Sequence, residues 1–297
     1  GQHAPAHDAY TRLLQRLPPD SEALWEEVKG CVALSSGLLI IDDTTLDKPY
    51  ASQMALVSRH WSGKHHEVVQ GINLISLVWS DGDAALSCDY RLYHKTQDGL
   101  SKNDPFRAML QQAHKRGFQP ALVAFDSWYS SLENLKLVRN FGWEWLTRLK
   151  SNRQMSLQAG QQAVSALDIS CSGLRVHLRG YGLVKVFRTV DPHGTADYWA
   201  TSRLTMTDAQ RELFANRAWL VEVYHRVLKQ FTGIERAQFR LELSQRNHIG
   251  LALRAYVRLE LQRWRTRVSI LSSKLDIIRV AVRHYLAHPL YCLPSTA

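Results

Sequence analysis

Two aspartates that each follow an apolar tetrad are the residues of this chain best suited to chemistry. Leu38-Leu39-Ile40-Ile41 stops at Asp42-Asp43-Thr44-Thr45, and Leu122-Val123-Ala124-Phe125 stops at Asp126. Continuous apolar runs read as strands buried on both faces, and open α/β sheets place their chemistry beyond the carboxyl ends of such strands. Two strands that each deliver a carboxylate there point to a divalent-metal site, because hard cations take oxygen ligands. A third acid is expected on the helix that contains Arg217-Ala218-Trp219-Leu220-Val221-Glu222. Glu222, Arg226 and Lys229 are spaced to lie along one face of it, and an acid beside two bases suits a metal plus a phosphate.

The elements that must hold these residues follow from periodicity and punctuation. Residues His7 to Leu17 and Glu22 to Val28 have helical spacing, separated by Pro18-Pro19-Asp20-Ser21. Gly71 to Trp79 and Ala85 to Tyr93 read as a hairpin about the turn Ser80-Asp81-Gly82-Asp83. Helices are predicted over Asp104 to Arg116 and Ser131 to Asn140, with a fifth strand over Trp143 to Lys150. The order β-β-β-α-β-α-β is that of a ribonuclease-H-like sheet. Short β-rich pieces between Met155 and Arg203 look like an inserted β subdomain, and from Thr207 onward the chain returns to long, arginine-rich helices. The predicted fold is therefore an α/β, ribonuclease-H-like mixed sheet with a β insertion at about 151–205 and a helical C-terminal part. Residues 1–36 form a short N-terminal helical segment, and 37–297 the catalytic domain. The chain opens on Gly1, which leaves open a longer N-terminal part.

Composition narrows the partner. Thirty-seven basic against 27 acidic residues give +10, which favours a polyanion. No stretch approaches the length of apolar residues that spans a bilayer. Cys31, Cys88, Cys171 and Cys292 show no CxxC spacing, the pattern of reduced thiols in a cytoplasmic protein.

The strand ending IDDTTLDKP, the strand ending AFDSWYSS and the helix WLVEVYHRVLK together resemble the DDE transposases of bacterial insertion sequences, in the branch with β-strands inserted before the glutamate. The similarity runs over roughly Leu38 to Leu290. It implies that Asp43, which directly precedes Thr44, is the first acid rather than Asp42, that Asp126 is the second, and that Glu222 is the third. The family's Tyr, Arg, Glu, Lys signature places Lys229 correctly after Glu222. Phe214 stands where its tyrosine belongs, and Arg217 is one residue farther from Glu222 than usual. The resemblance further implies nicking at element ends, release of the element and joining to target DNA. The substrate would be double-stranded DNA, handled by a homodimer in the bacterial, nucleoid-associated cytoplasm.

In-line phosphodiester cleavage needs charge stabilisation on both the attacking and leaving oxygens, which two Mg²⁺ ions, with Mn²⁺ as a substitute, supply. Asp43 is expected to bridge the ions, with Asp126 and Glu222 each completing one set of ligands. DNA-binding roles are assigned to Lys229, Arg226, Arg217, Tyr224, Arg148 and Lys150, while Tyr181, Tyr198 and Trp199 are candidates to receive an unstacked base. Trp128 and Tyr129 are expected to pack the turn after Asp126, and His60 to Glu67 to form a structural loop. Arg254, Arg258, Arg263, Arg265 and Arg267 make either a phosphate-following or a solvated helix face. The alternatives to a transposase are a nuclease of this fold that does not join ends, and a transposase-derived protein that binds DNA without cutting. Glu222→Gln separates enzyme from binder, and joining of cut 3′-ends separates transposase from nuclease.

Overall fold

The computed structural model describes residues 8–62, 67–94, 99–157 and 160–289. Among the described residues eleven strands form one mixed sheet. At its centre β1 (Leu38–Asp47) lies parallel to β5 (Leu122–Phe125) and antiparallel to β3 (Glu67–Ser80). β4 (Ala85–Tyr93) pairs with the C-terminal part of β3, confirming the hairpin, and β6 (Trp145–Leu149) lies parallel to β5. The sequence β4-β3-β1-β5-β6 is the core of the ribonuclease-H-like sheet expected from the order of elements.

β1 does not end at Ile41, as the apolar tetrad suggested, but continues to Asp47. The register explains why the chain turns polar at Asp42. Leu38 to Ile41 are paired on one edge with Leu122 to Phe125 and on the other with β3. β5 stops opposite Ile41, so from Asp42 onward one edge of β1 is open while β3 still supplies the ladder. Asp126, the residue after β5, therefore emerges beside Asp42 and Asp43. Gly37 makes the entry to β1 possible: its φ is +82°, and a Cβ there would collide with the Trp79 indole and lie 2.9 Å from the Ser80 carbonyl oxygen.

A short strand that the sequence did not suggest, β2 (Ser58–Ser62), pairs with the N-terminal part of β3, which begins at Glu67 rather than Gly71. Its composition is polar, so no apolar alternation announced it. Beyond β6, the inserted strands β7 (Gln154–Leu157), β8 (Gly160–Ala163), β9 (Leu174–Leu178), β10 (Gly182–Val190) and β11 (Ala196–Thr201) extend the same sheet. β11 runs antiparallel to β6, pairing Trp199 with Arg148. The insertion thus grows out of the central sheet.

Helices cover both faces. The first two, α1 (Ala9–Arg16) and α2 (Glu22–Val28), match the predicted lead-in. The next, α3 (Asn103–Lys115), buries Phe106, Met109, Leu110 and Ala113, and α4 (Leu132–Asn140) starts at Ser131, whose side chain caps Asn134 N. A capping box formed by Thr207 and Gln210 opens α5 (Asp208–Ala218), which passes at Trp219 into α6 (Leu220–Phe231). The C-terminal helices are α7 (Glu242–Thr266) and α8 (Ile270–Ala287). No described helix is long and apolar enough to cross a membrane.

Candidate active site

The strand ends open into a cavity of about 1100 Å³, lined among others by Asp42, Asp43, Asp126 and Glu222. Adjacent residues of a strand point to opposite faces, so Asp42 and Asp43 meet different helices. Asp43 turns towards α3 and the turn after β5. Its Oδ1 accepts from the Tyr129 hydroxyl at 2.8 Å, and its Oδ2 accepts from Asn73 at 2.7 Å and Lys102 Nζ at 2.8 Å. Burial opposes ionisation of Asp43, but the Lys102 ammonium and these donors outweigh it and hold the carboxyl below its usual range. Asp42 turns towards α6, with His225 Nδ1 at 3.9 Å from its Oδ2. Burial, then the charges of Asp43, Asp126 and Glu222, push Asp42 well above the carboxylate range.

Asp126 is fixed by its own turn. Its Oδ1 accepts from Trp128 N at 2.9 Å, and its carbonyl accepts from Thr147 Oγ1 at 3.0 Å and Tyr129 N at 3.2 Å. Water reaches it through the open cavity, yet protein surrounds it on most sides. That partial burial, together with Asp43, raises it to about 6.

Glu222 lies in the first turn of α6 and faces the cavity together with His225 and Lys229. Successive residues of an α-helix turn by about 100°. His225 and Lys229 therefore fall on the same side of Glu222 and Arg226 on the other, which explains why Arg226 is exposed outside the cavity. Glu222, Arg226 and Lys229 do share one helical face within an arc of about 60°, but only Glu222 and Lys229 line the cavity. Lys229 donates to the Thr45 carbonyl and pairs with Glu235 at 3.1 Å. His225 is buried, its Nε2 has no partner, and burial depresses its pKa to about 3, so the ring is neutral.

Of the remaining predicted residues, Lys150 lines the cavity and Arg148 lies outside it, over the Trp199 ring at 5.0 Å and 3.6 Å from Asp197. Tyr224 is buried, its hydroxyl 3.0 Å from Ser76 Oγ and 3.3 Å from Ser87 Oγ, so it packs the core and the DNA-facing assignment is withdrawn. Arg217 lies against the Gly82 turn, at the opposite end of β1 from the carboxylates and outside their cavity. The aromatic candidates are likewise occupied. Tyr181 and Tyr198 are buried, and Trp199 is covered by Arg148. Tyr129 does pack the turn, stacked on Phe106 at 5.0 Å, whereas Trp128 does not: it is exposed and lines the cavity.

Four of the five clustered arginines form intramolecular ion pairs, and Arg265 reaches the Cys31 sulfur at 3.8 Å. Arg254 and Arg258 hold Glu27, Arg263 joins Glu260 to Asp83, and Arg267 pairs with Asp83. Sequence reasoning missed Lys102, Asn73 and His225. The position of His225 one turn after Glu222 was the only available signal. His60, at one end of the expected structural loop, also lines the cavity, its Nε2 2.7 Å from Thr45 Oγ1, while residues 63–66 of that loop lie outside the described residues.

Five carboxyl groups, those of Asp42, Asp43, Asp47, Asp126 and Glu222, line the cavity, and two of them, Asp42 and Asp126, are driven towards protonation first by burial and then by neighbouring carboxylates. Such a surplus of hard oxygen donors fits divalent cations. Among the described residues no three metal-binding side chains converge at ligating range, and both oxygens of Asp43 are taken up by Tyr129, Asn73 and Lys102.

The central strands of the ribonuclease-H-like sheet, together with α6, thus bring these acids to one cavity. The chain belongs to the transposase DDE domain family, whose model matches residues 34–258, and divalent metal ions are general in that family. Among solved structures, the chain is similar to the piggyBac transposase in its synaptic complex with hairpin DNA, with a TM-score of 0.50 at 11% identity over 97% of this chain. It spans 61% of that protein's length. The Drosophila P element transposase in its strand transfer complex overlaps 96% of this chain and 80% of its own, at 8% identity and a TM-score of 0.28. No curated protein matches the chain.

Proposed function

We propose that this chain is a DNA transposase that cuts at the ends of its element and joins the freed 3′-ends to a second DNA. The observation that carries this reading is the meeting of Asp43, Asp126 and Glu222 in one cavity of a DDE family domain. Residues 37–297 act as one catalytic unit, with 151–205 as an insertion. Asp43, Asp126 and Glu222 would hold Mg²⁺, or Mn²⁺ in its place, which would neutralise charge on the attacking and leaving oxygens. Asp43, kept ionised, is the readiest of the three to bind a cation. Asp126 keeps its carboxylate aimed through the Trp128 amide. Lys102, beside Asp43, and Lys150, on the same wall of the cavity, would contact phosphates of the DNA backbone. Lys229 anchors α6 to β1 through Thr45, which sets the height of Glu222 in the cavity. His225, neutral and buried, supports Asp42 without carrying charge into the site.

Double-stranded DNA suits the +10 charge of the chain, and hairpin DNA in the piggyBac complex is a precedent in a similar fold. Joining two ends calls for two copies of the chain, acting in the bacterial cytoplasm. The test is an excision assay in cells with a marker between the inverted repeats that flank the gene. Restoration of the donor together with new marker insertions supports a transposase, and donor breaks without insertions favour the nuclease. DNA binding with neither event favours the non-cutting binder.

A further inference from the structure

Trp128 is a large side chain near the carboxylates whose position packing does not explain. It is 53% exposed on the cavity wall and stands outside the hydrophobic core, whereas its neighbour Tyr129 is fully buried. Its place relative to Asp126 is rigid, because its amide donates to Asp126 Oδ1 at 2.9 Å within a single turn of 3₁₀ helix. Two ammonium groups lie over the indole, Lys102 Nζ at 5.6 Å and Lys150 Nζ at 5.4 Å from the ring centroid. An exposed aromatic ring between two ammonium groups combines the two things a nucleotide needs, a stacking surface and phosphate partners.

We propose that Trp128 is a stacking platform for one unpaired nucleobase at the reacting DNA end, with Lys102 and Lys150 taking the neighbouring phosphates. The proposal rests on the DNA-processing reading of the carboxylate cavity. A ring face takes a base only where that base has left the duplex stack, so a nucleotide seated on Trp128 beside the reacting phosphate is unpaired. A phosphate is a stronger partner for an ammonium than a ring face is, so the two lysines move to the backbone and uncover the indole for the base. Among the described residues the other aromatics are less free to do this: Tyr93 also lines the cavity but is half-buried, with its hydroxyl donating to the Leu100 carbonyl at 3.0 Å. Tyr181 and Tyr198 are buried and Trp199 is covered by Arg148, while Tyr50, though 97% exposed, lines a separate cavity beside Arg240.

The experiment uses duplexes of the element's terminal sequence with 2-aminopurine as the last nucleotide, either paired or with its partner nucleotide removed. Binding is followed by fluorescence in Ca²⁺. Wild type is expected to prefer the unpaired end and to quench the 2-aminopurine. Trp128→Leu, which keeps apolar bulk without a ring, should reduce the ratio of the two dissociation constants about tenfold and abolish the quench. Trp128→Phe should retain most of both. If Trp128→Leu melts like wild type and keeps the wild-type preference and quench, the platform is overturned while DNA binding stands. If wild type binds neither duplex, the platform falls together with the proposed function.

Discussion

Asp42 and Asp43 are chemically identical neighbours with opposite tasks, and their partners decide which is which. Asp43 is held ionised by Lys102, Asn73 and Tyr129, whereas Asp42 is pushed towards the neutral form by burial and by the surrounding acids. Asp43→Asn should therefore abolish cleavage. Asp42→Asn should slow it about 10–100-fold, the range for residues that support a ligand rather than act as one. A single-turnover cleavage assay distinguishes them, and equal losses would undo the assignment. Asp126 gives a test by pH. Its pKa is raised from 3.8 to about 6, so it stabilises the cation-free fold below pH about 4 and loses that contribution as pH rises through about 6. His225 works the other way: depressed from 6.5 to about 3, it contributes above pH about 6.5 and loses that contribution as pH falls. The two trends overlap, so the measurement is the difference in melting temperature between wild type and Asp126→Asn in chelator from pH 4 to 7. Wild type should fall relative to the variant as pH rises, and a divalent cation should remove the difference at the upper end. The open cavity screens part of this effect.

At the scale of elements, α6 does two jobs with alternate sides. Glu222, His225 and Lys229 look into the cavity, while Val221, Tyr224 and Leu228 are buried and hold the helix in place. The Tyr224 ring meets Tyr256 edge-on at 4.8 Å and its hydroxyl reaches Ser76 on β3. Tyr224→Phe should lower stability by about 1 kcal/mol, the usual net worth of such a hydrogen bond, as read from urea unfolding. DNA affinity should not change, and a selective loss of affinity would restore the DNA-facing role withdrawn above. The same helix shows how far the sequence could be read. The three acids and the strands carrying two of them were legible, because buried parallel strands are apolar runs and Asp126 must follow β5. What could not be read were contacts between distant segments. Lys102 reaches Asp43 across 59 residues and Arg254 reaches Glu27 across 227, and neither pairing leaves a local pattern. The extra length of β1 escaped for a related reason, since it depends on where β5 stops.

For the whole molecule, charge is distributed rather than pooled. Arg254 and Arg258 tie α7 to α2 and Arg263 ties it to the β3–β4 turn, whereas Lys102 and Lys150 line the cavity. Affinity for DNA should fall steeply with salt, and Lys150→Ala should reduce the slope of log K against log salt by about 1. Arg258→Ala should leave that slope unchanged, and a drop of similar size would show that α7 follows the DNA backbone. The central claim is that three carboxylates in one cavity cut DNA. It is tested most directly by cleavage of a duplex bearing the element end, comparing wild type with Glu222→Gln in Mg²⁺ and measuring binding on the same DNA. Wild type should nick the end and lose that activity in chelator, and Glu222→Gln should bind as well but leave the strand intact. Cleavage by Glu222→Gln at the wild-type rate would contradict the account.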